Sequence, residues 1–168
     1  MTPRPKPTLQ IDFTLTSYTS ETQRARVVLE TWAKLNLWCN SCGSPTLLSL
    51  PPNTPVSDLR CATCRLEYQV KSQSHPFRKT IKGAKYDPSY ERALDKDMPD
   101  YVLVQYDRLL EQVIRVEIVR GHELTPDRII KRRALRAGAR REDWIGFNVN
   151  IEGVTRVPIV APAFLPRV

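Results

Sequence analysis

Four cysteines, Cys39, Cys42, Cys61 and Cys64, stand in the chain as C-x2-C, eighteen residues, C-x2-C. Each close pair can turn two sulfurs towards one ion, and two such turns close a four-thiolate tetrahedron around Zn²⁺. A site closed on all sides holds structure and leaves no position for a substrate. Gly43 suits the tight backbone of the first turn. Redox chemistry and disulfides compete for the same four residues, but this spacing favours zinc.

A second group stands close by. Asp58 precedes a stretch, Asp58 to Lys71, that reads as two short strands joined at the second cysteine pair. The return strand brings Gln69 and Lys71 back towards Asp58. Gln69 and Lys71 share one face of that strand and Val70 takes the other. A carboxylate can hold Mg²⁺, and a lysine beside it can hold or deprotonate an attacking water. On the pattern alone, a solvated Asp/Lys pair on an edge strand explains the same residues better.

The third feature is a run of charge. Arg128 to Arg141 contains seven basic residues, Arg128, Lys131, Arg132, Arg133, Arg136, Arg140 and Arg141, and no acidic one. A solvated helix face usually interleaves both signs, so binding to phosphate is the preferred reading. Trp144 beyond it reads as core rather than as a base-stacking residue. His75 and His122 are isolated, at positions suited to loops. No serine has a histidine–carboxylate partner in evidence.

The elements that must position these groups follow from periodicity. Leu9 to Leu15 alternates as a short strand or lead-in. A helix capped by Ser20 or Thr22 runs to about Leu37, with Ala25, Val28, Leu29, Trp32 and Leu35 on its apolar face. Tyr86 to Asp97 reads as a helix opened by Asp87-Pro88, with Pro88 at the first helical position. Tyr101 to Tyr106 is almost continuously apolar, as a buried central strand is. Gln112 to Val119 alternates and pairs beside it. Thr125-Pro126-Asp127 opens a short helix, and Asp143 to Val160 carries further strands. The order predicts an α/β sheet domain with an inserted zinc knuckle over 39–64. Residues 1–9 read as a disordered Pro-rich tail, 10–160 as a single domain and 161–168 as a loose tail.

Composition narrows the partner. With 26 Lys+Arg against 18 Asp+Glu the net charge is +8, which favours a polyanion. No long apolar run suits a bilayer, so no membrane partner is expected. The first residues lack a secretory pattern, and the cytoplasm is the expected compartment.

Three blocks are similar to a known family: T-Q-R-A-R-V-V-L-E-T-W from Thr22, P-V-S-D-L-R-C-A-T-C-R-L-E-Y-Q-V-K-S from Pro55, and I-I-K-R-R-A-L-R-A-G-A-R-R-E-D-W-I-G-F-N from Ile129. With the cysteines they cover most of residues 20–151. The chain resembles the catalytic domain of the methyladenine-dependent restriction endonucleases of the Dpn I type, the Dam-replacing family.

That resemblance implies a PD-(D/E)XK restriction-endonuclease-like core, a central mixed sheet flanked by helices, with the four-cysteine zinc knuckle inserted. It implies a Mg²⁺-dependent endonuclease acting on double-stranded DNA, directed at adenine-methylated, GATC-like sites. Asp58 then corresponds to the metal-binding aspartate and Lys71 to the catalytic lysine. Gln69 takes the slot of a glutamate, and the backbone carbonyl of Val70 completes the metal shell. Glu30 on the first helix stands where related cores place an accessory acid. Gln69 removes one negative charge, which keeps open a catalytically impaired, DNA-binding alternative. A zinc-ribbon transcription or translation factor explains the cysteines and the charge but not Asp58 and Lys71 at the two ends of one hairpin. Family enzymes carry a C-terminal winged-helix domain, and none is expected within these 168 residues. A transient homodimer, or a partner supplying sequence specificity, is the corresponding expectation.

Overall fold

In the computed structural model, residues 9–133, 138 and 144–160 are described. A six-stranded sheet forms the centre, built from β1 (Leu47–Ser49), β2 (Leu59–Cys61), β3 (Glu67–Gln73), β5 (Asp100–Asp107), β6 (Gln112–Val119) and β9 (Val157–Val160), in that spatial order. Only the β3–β5 pair is parallel, so the sheet is mixed. A smaller sheet places β8 (Gly146–Asn150) between β4 (Thr80–Lys85) and β7 (Ile129–Lys131). Two α-helices complete the framework, α1 (Glu21–Asn36) and α2 (Tyr86–Leu94).

Alternation along β5 organises the layers. Val102 and Val104 pack with Ala25, Val28, Leu29, Trp32 and Ala33 of α1. Tyr101 and Leu103 pack on the opposite face with Phe147, Val149, Ile81 and Ile129 of the small sheet and Ala93 of α2. Covered on both faces, β5 needs no polar positions through its middle, which is why it reads as a continuous apolar run. Burying a side chain of the size of Leu103 contributes about 2 kcal/mol, and its 1% exposure means nearly all of that is realised.

Several sequence expectations need correction. Leu9 to Leu15 is not a strand: Gln10 makes an isolated bridge to Gln112 and Phe13–Leu15 is a 3₁₀ turn. Asp12 drives the turn, its side chain accepting the N–H of Thr14 at 2.9 Å. Leu35 is 72% exposed and does not join the apolar face of α1. Ser20 occupies the N-cap position of α1, although its side chain makes no capping hydrogen bond. Pro88 falls at the third residue of α2 rather than the first. The helix expected from Thr125 is only a 3₁₀ turn, Pro126–Arg128, and the chain then enters β7. β-Branched Ile129 and Ile130 prefer the extended backbone and pair with Val149 and Asn148 of β8. Strands β1 and β4 carried too little alternation to be read in advance.

Candidate active centre and metal knuckle

The two cysteine pairs lie at the outer end of the β1–β2–β3 meander. All four sulfurs lie within 4.8 Å of one another, with Cys39 Sγ to Cys64 Sγ at 3.6 Å and Cys42 Sγ to Cys61 Sγ at 3.5 Å. A tetrahedron with Zn–S bonds of ~2.3 Å has edges of about 3.8 Å, so the donor set and spacing fit zinc. A disulfide needs sulfurs about 2 Å apart, and the four cysteines are unbridged.

Both turns share one backbone device: the residue after each second cysteine takes a left-handed conformation, Gly43 at φ 78° and Arg65 at φ 68°. The glycine was legible in the sequence; the arginine was not. N–H groups of Ser41, Thr63 and Cys64 point at the buried sulfurs of Cys39 and Cys61 at 3.4–3.5 Å. Burial pushes the Cys61 thiol up, yet the N–H groups of Cys64 and Thr63 outweigh it and hold the group down to about 6. The thiolate is the form a metal binds.

Tyr68 links this knuckle to the sheet. Its hydroxyl lies 3.2 Å from Cys39 Sγ and 2.5 Å from Asn40 Oδ1. Asn40 in turn donates to Asp100 Oδ2 at 3.2 Å, at the first residue of β5.

One residue further along β3 the second group assembles. Asp58 immediately precedes β2, donates its N–H to the carbonyl of Tyr68 at 2.8 Å, and accepts the N–H of Val70 on Oδ2 at 2.8 Å. Beyond Asp58 the strand β2 no longer covers β3, and the carboxylate takes the place of the missing backbone acceptor. The N–H and C=O of a strand residue point to the same side, so the Val70 carbonyl also faces this edge. Gln69 and Lys71 pair in register with Tyr101 and Leu103, on the face turned towards the small sheet. The Lys71 Nζ lies over the Tyr101 ring, 5.9 Å from its centroid.

Charges in this group act on one another. Burial pushes the Asp58 carboxyl up, against the pull of the Val70 N–H, Lys71 and Arg26. Burial and then the Asp58 charge push Glu30 up, so Glu30 on α1 belongs to the same electrostatic cluster. Burial pushes Lys71 down to about 8, helped by the positive charges of Arg26 and Arg132 and opposed by Asp58 and Glu30. Desolvation dominates in all three. Gln69 is 7% exposed and its Oε1 has no hydrogen-bond partner. Tyr101 Oη is buried and equally unpartnered. An unpaired buried acceptor costs about 1–3 kcal/mol, so an oxygen-seeking ligand beside Gln69 has something to relieve.

The hairpin that carries Asp58 is latched from α2. Arg92 donates to Ser57 Oγ at 2.8 Å and to Glu67 Oε1 at 3.0 Å. Sequence reasoning passed over Arg92, Tyr68 and Tyr101, because a helix arginine and two strand tyrosines look like ordinary surface and core.

Of the basic run, Arg128, Lys131, Arg132 and Arg133 fall within the described residues, while Arg136, Arg140 and Arg141 lie outside them. Arg128 donates to the carbonyls of Asn150 and Glu152 at 3.0 and 2.8 Å and stitches the loop after β8. Lys131 Nζ sits 4.9 Å from the centroid of the Tyr86 ring. Arg132 stacks on Trp144 at 5.5 Å. Trp144 is half-buried beneath that arginine rather than in the core. His75 and His122 are exposed.

The class that results is a mixed α/β domain with four cysteines able to hold zinc, set next to a carboxylate, an amide and a lysine at β3. Within that class the particular assignment is direct. The family model described as "DpnI: Dam-replacing family" matches residues 8–162, and the chain belongs to that family. The family points to a restriction endonuclease and to DNA as partner. Among the described residues no helix is long and apolar enough to cross a membrane.

Proposed function

We propose that this protein is a Mg²⁺-dependent DNA endonuclease of restriction type, with a PD-(D/E)XK core, directed at adenine-methylated DNA of GATC-like sequence. The observation that carries the reading is the unpartnered Gln69 Oε1, buried beside Asp58 and Lys71 on one strand edge. Asp58, Gln69 and the Val70 carbonyl make an all-oxygen donor set, the kind Mg²⁺ takes. Mg²⁺ held by these oxygens would lower the pKa of a bound water and offset charge growing on the phosphate.

The chain's own residues do the rest. The oxygen of an attacking water bonds to phosphorus while the bond to the leaving sugar oxygen breaks. Lys71, held near pH 8 by burial, is neutral often enough at physiological pH to take or hold the water's proton. Glu30 adds negative charge on the α1 side of the cluster. Positive charge on the basic run holds the duplex by its phosphates.

The test is cleavage of adenine-methylated and unmethylated plasmid with Mg²⁺, with Lys71→Ala alongside. Cutting of methylated plasmid alone, abolished in the variant, is the expected result. Cutting of both plasmids removes the methyl specificity and keeps the nuclease. A second reading, a DNA-binding protein impaired in catalysis, is favoured by the missing charge at Gln69. No cutting of either plasmid, with binding intact across Mg²⁺ and Mn²⁺, selects it.

A further inference from the structure

Strand β8 is central in the small sheet, and its side chains alternate between two faces. Val149 pairs with Ile81 of β4 and Ile129 of β7, and that row is buried in one core with Tyr101 and Leu103 of β5. The next row, Lys82, Asn148 and Ile130, therefore points away from the core. Lys82 is exposed, Asn148 is half-buried and Ile130 is 49% exposed, so the row is open to solvent. Thr80 and Asn150 form a second outward row. Neither row contains a carboxylate.

Asn148 is out of place as a purely structural residue. Asparagine is depleted in strands, and an outward position in the middle of a central strand suits threonine or valine. Asn150 shows what repays the choice elsewhere: its Oδ1 accepts the N–H of Glu152 at 2.8 Å in the turn after β8. Among the described residues the Asn148 amide has no such partner. A local rule broken without an internal gain marks a position kept for a ligand.

The row also has the dimensions of a groove reader. Strands stand about 4.8 Å apart, so β4 and β7 flank β8 at about 10 Å from each other. A DNA major groove is about 12 Å wide. The central strand then meets the groove floor, where base edges lie, and a flanking strand meets a phosphate wall. An amide can donate to and accept from base edges, a lysine takes a phosphate, and an exposed isoleucine packs on a base methyl group.

We propose that the outer face of the small sheet is a docking surface for duplex DNA, with Asn148 on a base edge and Lys82 on a phosphate. The inference rests on the nuclease reading for its ligand and adds the element that enters the groove. Charge favours a polyanion here: Lys82 stands with no acid in either row, in a chain of net charge +8.

The experiment is fluorescence anisotropy of labelled duplexes in EDTA across a salt series. The duplexes are GATC-containing, with and without N6-methyladenine, and scrambled. The proteins are wild type, Asn148→Ala, Asn148→Thr, Lys82→Ala and, on α1 across the central sheet, Lys34→Ala. Thermal melting identifies any variant that fails to fold. Lys82→Ala weakens every duplex alike and lowers the salt slope by about one, whereas Lys34→Ala leaves the slope unchanged. Asn148→Ala keeps the slope and weakens the GATC duplexes about tenfold relative to the scrambled one. Asn148→Thr, a better strand residue, melts at or above wild type and binds as weakly as the alanine variant. Equal slopes for Lys82→Ala and Lys34→Ala overturn the proposal. An Asn148 loss of the same size on every duplex also overturns it, as does wild-type binding by Asn148→Thr. Because cleavage is never read, failure of the nuclease reading leaves this result standing, and failure here leaves the plasmid result standing.

Discussion

The carboxylate of Asp58 accepts the backbone N–H of Val70 at 2.8 Å, at the point where β2 ends and the edge of β3 is left uncovered. One side chain therefore finishes a sheet and, on the proposed mechanism, carries the charge that would hold Mg²⁺. The two jobs can be separated. Asp58→Asn keeps an oxygen for the Val70 N–H and should fold like wild type, while cleavage falls by at least 100-fold. Asp58→Ala leaves the N–H without its acceptor and should lose about 1 kcal/mol of stability as well. Urea titration alongside plasmid cleavage checks both. Equal stability of the two variants would show that the Val70 contact contributes nothing.

On the proposed mechanism Lys71 gives the reaction its pH dependence. Burial holds it at about 8, below its ordinary value, so its neutral form gains on the charged form as pH rises through that point. Cleavage should rise about tenfold per pH unit below the midpoint and level off above it. A cation bound alongside moves the midpoint lower, never higher. For stability the sign runs the same way: the unfolded chain holds the proton more tightly, so the penalty is full below pH 8 and is relieved as pH climbs towards the unfolded value. A rate that falls between pH 6.5 and 8 would remove Lys71 from the role of base.

On the proposed nuclease reading, Gln69 takes the slot of a metal-binding glutamate. Gln69→Glu places a third carboxylate among Asp58 and Glu30 in a position only 7% exposed. Without metal that variant should melt several degrees below wild type. With millimolar Mg²⁺ it should regain the difference and bind the cation about tenfold more tightly, because a carboxylate replaces a neutral oxygen. Calorimetric titration with Mg²⁺ reads this directly. An unchanged affinity would place the cation away from Gln69.

Zinc should be worth most at the knuckle and be felt at β3. Structural zinc in small cysteine sites contributes ~10–16 kcal/mol of apparent binding free energy. Removing it by chelation, or by Cys61→Ser, should free the thiols and release Tyr68 from Cys39. It should also lower the melting temperature. Cys39 and Cys61 belong to the core on the α1 side of β5, whereas the core under the small sheet holds none of the four cysteines, so the latter should keep its part of the far-ultraviolet spectrum. Metal content by native mass spectrometry should read one zinc per chain. Thiols that react freely in the untreated protein would sink the zinc assignment.

Much of this was legible before any coordinates. Cysteine spacing is a local property, and so is the alternation that put Gln69 and Lys71 on one face of a returning strand. The buried β5 announced itself because both its faces are covered. What stayed hidden depends on distant partners. Arg132 was set against Trp144 and Gly146 only when β7 paired with β8. β4, with Gly83 in its middle, has no periodic pattern of its own, and it needs the glycine because a Cβ there would stand 2.3 Å from the Phe147 ring. The helix expected at Thr125 stops after one turn because Ile129 and Ile130 are drawn into the sheet beside β8.

Glu30 poses the last test, because stability and activity pull it in opposite directions. Burial and the Asp58 charge raise its carboxyl above the ordinary range, and the salt bridge to Arg26 at 3.0 Å offsets only part of that. A group whose folded pKa is raised adds stability at low pH and loses it as pH rises through the folded value. At neutral pH the ionised Glu30 therefore costs stability, which only a nearby cation can return. Glu30→Gln should melt at or above the wild-type temperature in EDTA and gain less from added Mg²⁺. Its cleavage should fall about 10- to 100-fold. If Glu30 is merely a surface partner of Arg26, the substitution should lower the melting temperature slightly and leave both the Mg²⁺ response and cleavage unchanged. Melting curves with and without Mg²⁺, read beside cleavage of the same preparation, distinguish the two.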